Sequence, residues 1–304
     1  MTVVFAAGSG GHLYQLRLLA RELSTPDDEV IWITDRTAQT DTLLAGEQVR
    51  YVELSAPRDV PAVLRVSREV SRIFSNRKIS RVYSTGAGVA LSAYLQCLLR
   101  GIPFTYIESA TRVTGLSLTG RVLDRMPRVD RFVQHASLVN KRWALRPSVF
   151  ESLAVEKRSR GEEGCSVFVT VGANVQFGFD SLFVQLRRIL DESWSVYCQY
   201  GVSSESAMYF PGSRMLPWAE VVTRTRSADV VICHAGTGSI LTTLMEGKVP
   251  VVIPREGGAG EHVDDHQLEL ARLVGSYGLG IVRAPNELTI EDLIQARSLR
   301  CVPK

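Results

Sequence analysis

A glycine-rich turn near the amino terminus carries the first residues whose types and spacing could do chemistry. The stretch GSGGH, residues 8–12, follows an apolar run and precedes a helical pattern. Glycines at a strand-to-helix turn let backbone N–H groups approach a ligand, and the helix directs its positive end toward the same point. His12 lies beside that positive end, which favours the neutral, proton-accepting imidazole. We therefore predict an anion site with His12 as a general base.

The spacing of these glycines argues against a dinucleotide site. The Gly-x-Gly-x-x-Gly pattern of dinucleotide-binding turns requires a glycine at position 13, where the chain has Leu13. A tight turn without a ligand is the remaining alternative for this stretch.

Three further turns repeat the arrangement of an apolar strand followed by glycine. STGAG, residues 84–88, precedes one helical pattern, and HAGTGS, residues 234–239, opens another. TVGAN, residues 170–174, ends a further apolar run. The hydroxyls of Thr237 and Ser239 would add donors to a diphosphate at such a turn, although either residue could instead cap the helix.

A polar segment after the last strong strand pattern offers side chains that could bind sugar hydroxyls. In REGGAGEHVDDHQLELA, residues 255–271, carboxylate and amide groups cluster where the loop runs into a helix. His262 and His266 are four residues apart, so a metal site is an alternative if a third ligand converges on them. Helix capping on a solvated surface is a further interpretation.

Short β-branched and aromatic runs alternate with helical patterns over the whole chain, and these elements must position the turns. Predicted strands cover residues 2–7, 29–34, 80–84, 103–108, 130–134, 165–171, 195–200, 228–234 and 249–254. Predicted helices cover residues 12–24, 60–76, 87–100, 178–191, 237–246 and 263–275. This alternation predicts an α/β fold of two doubly wound parallel sheets, with ligands at the carboxyl ends of the strands in a cleft between the domains.

The predicted domain bounds follow from where this periodicity stops. A Rossmann-like domain of residues 1–150 precedes a charged linker, residues 151–164, and a second Rossmann-like domain of residues 165–288. Residues 289–304 are expected to form a C-terminal helix that packs back on the first domain.

Composition limits the class of protein. The 304 residues are 45% hydrophobic and 22% charged, which suits two globular domains. No apolar run approaches the roughly 18 residues of a membrane span, which predicts a cytosolic protein without a transmembrane anchor. The five cysteines include no Cys-x-x-Cys pair, which argues against a disulfide framework or a thiolate metal site.

The net charge of +3 hides an asymmetry between the two halves. Residues 1–160 contain 23 Lys and Arg against 15 Asp and Glu, whereas residues 161–304 contain 12 against 17. A basic first half favours an anionic partner such as a diphosphate or a phospholipid surface. Nucleic acid is not an expected partner, because basic and aromatic residues do not alternate as they do on base-binding surfaces.

The motifs resemble those of a known group of glycosyltransferases. The matching stretches are GSGGH (8–12), STGAGV (84–89), IESATRVTGLSLTGRVL (107–123), VFVTVG (167–172), ADVVICHAGTGSILTTLMEGKVPVVIP (228–254) and DDHQLELA (264–271). The chain is similar to a fusion of the membrane-recruiting and catalytic subunits of the eukaryotic enzyme that adds the second N-acetylglucosamine to dolichyl-diphosphate-N-acetylglucosamine. It also resembles the bacterial capsule and exopolysaccharide glycosyltransferase pairs and, more distantly, MurG.

The resemblance implies a GT-B fold and inverting transfer of a sugar from a UDP-sugar to a polyprenyl-diphosphate-linked acceptor, with no metal or other cofactor. Carried over onto this sequence, the donor-binding residues are Gly172, His234, Gly236, Thr237, Gly238, Ser239, Asp265 and Gln267. The acceptor diphosphate would lie against Gly10, Gly11, Gly86 and Gly88. The chain departs from the family at Ala173 and Asn174, where a threonine pair is common.

Two residues at and after the predicted strand 103–108 are further candidates. Glu108 is a rival or helper to His12 as the catalytic base, because function is expected at strand ends in open sheets, although it could equally cap the following turn. Arg112 would bind the acceptor phosphate or pair with Glu108.

Residues 117–126 have the pattern of a helix that lies on a membrane surface. A helix here would separate an apolar face from a basic one. The apolar residues are Leu118, Val122 and Met126, and the basic residues are Arg121, Arg125, Arg128 and Arg131. This predicts peripheral binding to the anionic inner face of the cytoplasmic membrane, although a core-facing helix with a solvated basic side has the same pattern.

Two other classes of function remain open from the sequence. A UDP-sugar epimerase or hydrolase of the same architecture would act without a lipid acceptor, and a non-catalytic nucleotide-sugar-binding protein would need no base. No residue decides among glucose, glucuronate, N-acetylglucosamine and galactose as the donor sugar. Arg255, beside the donor loop, could pair with the carboxylate of glucuronate.

Overall fold

The chain forms two compact units, Met1–Pro147 and Ser148–Lys304. The computed structural model describes residues 1–53, 59–75, 77–158, 165–172, 177–255 and 266–304. The backbone of His266 is described without its side chain. Each unit is described below by itself.

The first unit is a seven-stranded sheet in which all paired strands run parallel. Its strands are β1 (Thr2–Ala7), β2 (Glu29–Asp35), β3 (Gln48–Val52), β4 (Ile79–Gly86), β5 (Phe104–Ile107), β6 (Val129–Val133) and β7 (Ala144–Leu145), in the spatial order β3-β2-β1-β4-β5-β6-β7. Its helices are α1 (Gly11–Leu23), α2 (Ala38–Leu43), α3 (Val60–Phe74), α4 (Gly88–Arg100) and α5 (Leu118–Asp124). The strand order reverses between β1 and β4, so a crevice opens at the carboxyl ends of these two strands.

Strand β1 is buried along its whole length, as expected for a central strand covered by helices on both faces. Val4 and Ala6 belong to a core cluster with Val66 of α3 and Val89 of α4. Phe5 faces the opposite side of the sheet, where its ring stacks on Trp32 with the ring centroids 4.9 Å apart. The packing on both faces fixes where β1 ends, and thus where the glycine turn begins.

The second unit contains a six-stranded parallel sheet with the same reversal. Its strands are β9 (Ser166–Thr170), β10 (Ser195–Gln199), β11 (Gly212–Ser213), β12 (Val230–His234), β13 (Val251–Ile253) and β14 (Ile281–Val282), in the order β11-β10-β9-β12-β13-β14. Its helices are α6 (Asp180–Ile189), α7 (Trp218–Ser227), α8 (Thr237–Met245), α9 (His266–Ser276) and α10 (Ile290–Arg297). Here the reversal lies between β9 and β12. The expected α/β class with two parallel sheets is confirmed.

A separate antiparallel ribbon joins two distant parts of the second unit. Strand β8 (Leu153–Lys157) pairs with β15 (Leu299–Pro303), and Cys301 lies opposite Val155. Residues 151–164, predicted as a linker, therefore include a strand, and the predicted terminal helix ends early enough for β15 to follow it. Helix α10 contributes Leu293 and Ala296 to the core of the second unit.

Candidate active site

Two glycine turns of the first unit meet at the crevice between β1 and β4. A methyl group built at Gly8 would lie 2.7 Å from Cβ of Ala87, so the Ala87 side chain packs closely against the backbone of the first turn. Gly86 has φ +137°, and Ala87 has φ +67°, a conformation that costs a residue with a side chain about 1–3 kcal/mol. The strained residue lies in the turn that the sequence predicts to bind the acceptor diphosphate, and the surrounding packing keeps it in this conformation.

The helices that start at these turns differ from their neighbours in how they are capped. Helices α2, α3 and α5 have side-chain caps from Thr37, Asp59 and Ser117. Helix α1 begins after Gly10 and α4 after Ala87, and neither has a side-chain cap hydrogen bond. Helix starts whose first N–H groups have no side-chain cap are the kind at which anions bind. The predicted acceptor residues Gly10, Gly11, Gly86 and Gly88 lie at or beside these two helix starts.

His12 stands over the end of β4 with its ring orientation fixed. Its Nδ1 lies 2.8 Å from the carbonyl oxygen of Thr85, and the Thr85 hydroxyl donates to the His12 carbonyl at 2.7 Å. Donation by Nδ1–H leaves Nε2 as the proton-accepting nitrogen. A methyl group at Gly86 would lie 2.7 Å from Cε1 of His12, so the imidazole occupies space that only glycine leaves open.

The surroundings of His12 lower its pKa and so favour the neutral imidazole. Desolvation by burial lowers the pKa of His12, the Thr85 carbonyl opposes that change, and the positive charge of Arg112 adds to the lowering. The half-buried Arg112 therefore lies close enough to His12 to act on its charge. An imidazole with a lowered pKa is deprotonated at neutral pH, which is the state that a general base needs.

Glu108 is buried, and both of its carboxylate oxygens accept hydrogen bonds. Its side-chain oxygens accept hydrogen bonds from the backbone N–H of Ser109 and of Ser117, and from the hydroxyls of Ser117 and Tyr106. It is 0% exposed, and burial raises its pKa despite the hydrogen bonds from Ser109 and Ser117. Since Ser117 also caps α5 through Gly120 N–H, Glu108 fixes the start of that helix. The geometry favours the interpretation in which this carboxylate organises the following turn.

Sequence reasoning missed a buried polar group one turn beyond His12. Gln15 is 1% exposed, and its Oε1 accepts from the backbone N–H of Ala110 at 3.1 Å and from Nε2 of Gln134 at 3.2 Å. Its Nε2 donates to the Ser109 hydroxyl at 3.2 Å. The available signal was a glutamine three residues after His12 among the apolar positions of α1.

The second unit builds a related arrangement from a different strand. His234 ends β12, and its ring lies between two glycines of neighbouring turns. A methyl group would lie 2.4 Å from Cε1 of His234 if built at Gly172, and 2.1 Å from Nε2 if built at Gly236. Gly172 has φ +76° at the end of the adjacent strand β9. The structure thus brings three of the predicted donor residues into contact.

Helix α8 starts at this point without a side-chain cap. Its N-cap residue is Gly236, so neither Thr237 nor Ser239 takes the capping position that sequence reasoning kept as an alternative. The Ser239 hydroxyl lies 3.5 Å from Nδ1 of His234. With Gly238 in the same first turn, the N–H groups and hydroxyls there form the kind of site that binds phosphate.

The polar loop after β13 is described only at its two ends. Gln267 is buried, and its Oε1 accepts from the backbone N–H of Arg255 at 3.0 Å. Arg255 is 0% exposed, and its Nη2 donates to the carbonyl of Val171 at 3.2 Å. Gln267 therefore holds the loop ends together. The donor candidate Asp265 and the metal alternative at His262 lie outside the described residues.

Helix α5, which ends at Asp124 and so before the end of the predicted helix 117–126, forms an exposed apolar and basic surface together with the residues that follow it. Leu118 is 48% exposed and Met126 36% exposed, Val122 is half-buried, and Leu123 is the position that enters the core. The exposed basic residues are Arg121, Arg125 and Arg128. Arg131 does not join them, because its Nε donates to the Leu123 carbonyl at 3.0 Å and closes the end of the helix.

Among the helices that the structure describes, none is long and apolar enough to cross a membrane. Within the described part of the chain, no three His, Cys, Asp or Glu side chains are grouped as metal ligands.

Comparison with known proteins shows which glycosyltransferases the chain resembles. Residues 166–298 match the model of the glycosyltransferase family 28 C-terminal domain. The chain is also 25% identical, over 96% of its length and 88% of the relative, to UDP-N-acetylglucosamine--N-acetylmuramyl-(pentapeptide) pyrophosphoryl-undecaprenol N-acetylglucosamine transferase of Neisseria meningitidis. The chain is a MurG-like glycosyltransferase.

Solved structures place this MurG-like enzyme in the GT-B fold. MurG of Acinetobacter baumannii matches with a TM-score of 0.60 and 20% identity over 97% of this chain and 88% of its own. UDP-GlcNAc 2-epimerase of Methanocaldococcus jannaschii matches with the same TM-score at 10% identity, over 97% of this chain and 91% of its own. The expected GT-B fold is confirmed, and the likeness to an epimerase shows that the fold alone does not choose the reaction.

Proposed function

We propose that this glycosyltransferase moves a sugar, with inversion, from a UDP-sugar to a polyprenyl-diphosphate-linked saccharide. The observation that carries the proposal is His12, an oriented imidazole with a lowered pKa that lies in the first turn of α1 and packs against Gly86 just before α4, two helices without side-chain caps. An acceptor with a diphosphate would place its anion on those N-termini and its hydroxyl near the imidazole. The full-length relative from Neisseria meningitidis acts, by its name, on a pyrophosphoryl-undecaprenol acceptor.

The chemistry assigned to the first unit is proton removal. Nε2 of His12 accepts the proton of the acceptor hydroxyl while that oxygen forms a bond to the anomeric carbon of the donor. The bond between the anomeric carbon and the β-phosphate oxygen breaks on the opposite side, and UDP leaves with the electron pair. Glu108 is assigned to holding α5 and the loop before it, because all of its oxygen positions are engaged.

The chemistry assigned to the second unit is stabilisation of the leaving diphosphate. Backbone N–H groups of the first turn of α8 and the hydroxyls of Thr237 and Ser239 would bind the β-phosphate as its charge grows. These residues, with Gly172, His234, Gly236 and Gly238, form the proposed diphosphate contact. Asp265 and Gln267 are proposed to bind the donor near the loop that Gln267 closes. The proposed reaction uses no metal ion or other cofactor.

The exposed face of α5 supports binding to an anionic membrane surface, which we place at the inner face of the cytoplasmic membrane. Leu118, Val122 and Met126 would enter the headgroup region, and each arginine near such a surface contributes about 1 kcal/mol. Replacement of Arg121, Arg125 and Arg128 by glutamate should abolish sedimentation with anionic vesicles. Unchanged binding to vesicles would refute this part of the proposal. Replacement of exposed Arg72, Arg226 and Arg300 by glutamate gives the same charge change elsewhere and should leave vesicle binding intact.

A solution reaction on a UDP-sugar is the second candidate, favoured only by the fold shared with the epimerase. The purified enzyme should be incubated with glucose, glucuronate, N-acetylglucosamine and galactose esters of UDP, each with and without a polyprenyl-diphosphate-linked sugar. UDP release that requires the lipid acceptor supports transfer. Release or epimer formation without the acceptor contradicts it. The UDP-sugar that raises the melting temperature most identifies the donor.

A further inference from the structure

The helix that carries His12 is tied to a distant loop by buried hydrogen bonds. Gln15 lies three residues after His12 and thus on the same side of α1. Through Oε1 and Nε2 it contacts Ala110 N–H and the Ser109 hydroxyl, both in the loop after β5. The loop continues to Arg112, whose charge acts on His12.

Further buried hydrogen bonds connect Gln15 to α5, the helix proposed to bind the membrane. Nε2 of Gln134, at the end of β6, is shared between Oε1 of Gln15 and the carbonyl oxygen of Glu108, at 3.2 and 2.9 Å. The Glu108 carboxylate then accepts from Ser117, the N-cap of α5. Because Gln15, Gln134 and Glu108 are all buried, water does not compete for these bonds.

We propose that Gln15 is a positioning residue for the transfer reaction: it holds the first turn of α1 in register with the loop that carries Arg112 and with the start of α5. This inference rests on the proposed role of His12 as the base. A shift of about 1 Å at a reacting group can lower a rate by about 10²-fold, so hydrogen bonds that fix these elements relative to one another affect kcat.

The chain offers a matched control for the glutamine. Gln96 is also buried, at 8% exposure, and its Nε2 donates to the Ser67 hydroxyl at 2.9 Å between α4 and α3. Gln15→Met and Gln96→Met each keep the length of the side chain and remove its hydrogen bonds. Gln15→Met should lower the melting temperature more than Gln96→Met, because it leaves more buried groups without a partner, so the comparison depends on kcat and on the pH profile.

The test compares the kinetics of these two variants. Gln15→Met should lower kcat about tenfold to 10²-fold with little change in the KM for the UDP-sugar, and should move the acid limb of the pH–rate profile to higher pH as Arg112 moves away from His12. Gln96→Met should change neither. Gln134→Met should lower kcat in the same direction, and the double variant Gln15→Met/Gln134→Met should lower it by less than the product of the single effects.

The outcomes separate this inference from the proposed function. If the wild-type enzyme transfers no sugar to a lipid-linked acceptor from any UDP-sugar, the proposed function fails. If the wild type transfers sugar but Gln15→Met and Gln96→Met have equal kcat values and the same pH profile, Gln15 serves folding only and the inference is overturned.

Discussion

Each unit has an imidazole at the carboxyl ends of the two central strands of its sheet. The two units differ in which of these strands precedes the histidine and which precedes the glycine that it contacts. In the first unit His12 comes from the helix after β1 and packs on Gly86 at the end of β4. In the second unit His234 comes from the end of β12 and packs on Gly172 after β9. In both, the ring fills the space above a glycine of positive φ at or just after the end of the neighbouring strand.

The surroundings of the two rings differ in a way that matches the proposed roles. A main-chain carbonyl holds Nδ1 of His12, and desolvation lowers the pKa of that ring, as a base requires. The ring of His234 lies next to the first turn of α8 and its hydroxyl residues, as an anion site requires. The proposal thus assigns base catalysis to the first unit and diphosphate binding to the second, two sheets of one architecture whose turn residues differ.

The largest expected effect is on kcat, and it should occur when His12 is replaced but not when His234 is replaced. His12→Ala should lower kcat by about 10²- to 10⁴-fold, because it removes the general base, and should leave the KM for the UDP-sugar nearly unchanged. His234→Ala should instead act mainly on that KM. Steady-state kinetics with both substrates varied will measure the division. Equal loss of kcat in the two variants would remove the distinction between the units.

A smaller effect is expected from the glycine beneath His12. Gly86→Ala would place Cβ 2.7 Å from Cε1 of His12 at φ +137°, so we expect a loss of about 1–3 kcal/mol in the free energy of unfolding together with a fall in kcat of up to about 10²-fold. Gly101→Ala is the control, since φ is +67° there and nothing lies within 4 Å of the added methyl. It should lower stability without lowering kcat. Chemical denaturation and initial rates give both quantities.

The corresponding change in the second unit should affect the donor. Gly236→Ala has no backbone strain at φ −97°, but its methyl would lie 2.1 Å from Nε2 of His234. We expect the KM for the UDP-sugar to rise about tenfold, because a displaced His234 would lose one charge-assisted hydrogen bond to the donor. The KM for the acceptor should not change. Gly275→Ala in α9, where the methyl would meet only Val282 at 3.4 Å, should change neither KM. A rise in the acceptor KM alone would reverse the assignment of the two units.

The smallest expected effect concerns pH. Because the pKa of His12 is lowered, activity should be complete at neutral pH and should fall only as pH drops through that lowered pKa, below the ordinary value of about 6.5. The favoured neutral ring also contributes stability that is complete above the unfolded pKa and is lost as pH falls through the folded one. Arg112→Gln removes a charge that lowers the pKa, so the acid limb of kcat/KM should move to higher pH.

The control for the pH experiment is another arginine of the first unit. Arg17→Gln removes a charge from the surface of α1, where Arg17 pairs with Glu47, and should leave the profile in place. If both variants shift the acid limb equally, the effect comes from net charge, and the proximity of Arg112 to His12 has no special role.

The sequence predicted the elements with strong local patterns. Strands such as β1 and β12, with their continuous apolar runs, and the long helices α1 and α4 were found within two residues of their observed ends. Strand β3, QVRYV, and helix α7, WAEVVTRTRS, were missed, because the first is a short, partly exposed edge strand and the second is rich in β-branched residues. Tertiary packing overrides propensity in both.

What the sequence determined by itself is local: the glycines and histidines of the turns, the strands before them and the helices after them. Only the tertiary structure decided which of these residues meet. His12 and Thr85 are 73 positions apart, and only the pairing of β1 with β4 brings the Nδ1 of one to the carbonyl of the other. The roles of Glu108 and Gln15 were likewise decided by burial and by partners far along the chain. Hydrophobic periodicity and turn conformation depend on neighbouring residues, so they can be predicted from the sequence. Desolvation and hydrogen-bond partners depend on which distant segments the fold packs together.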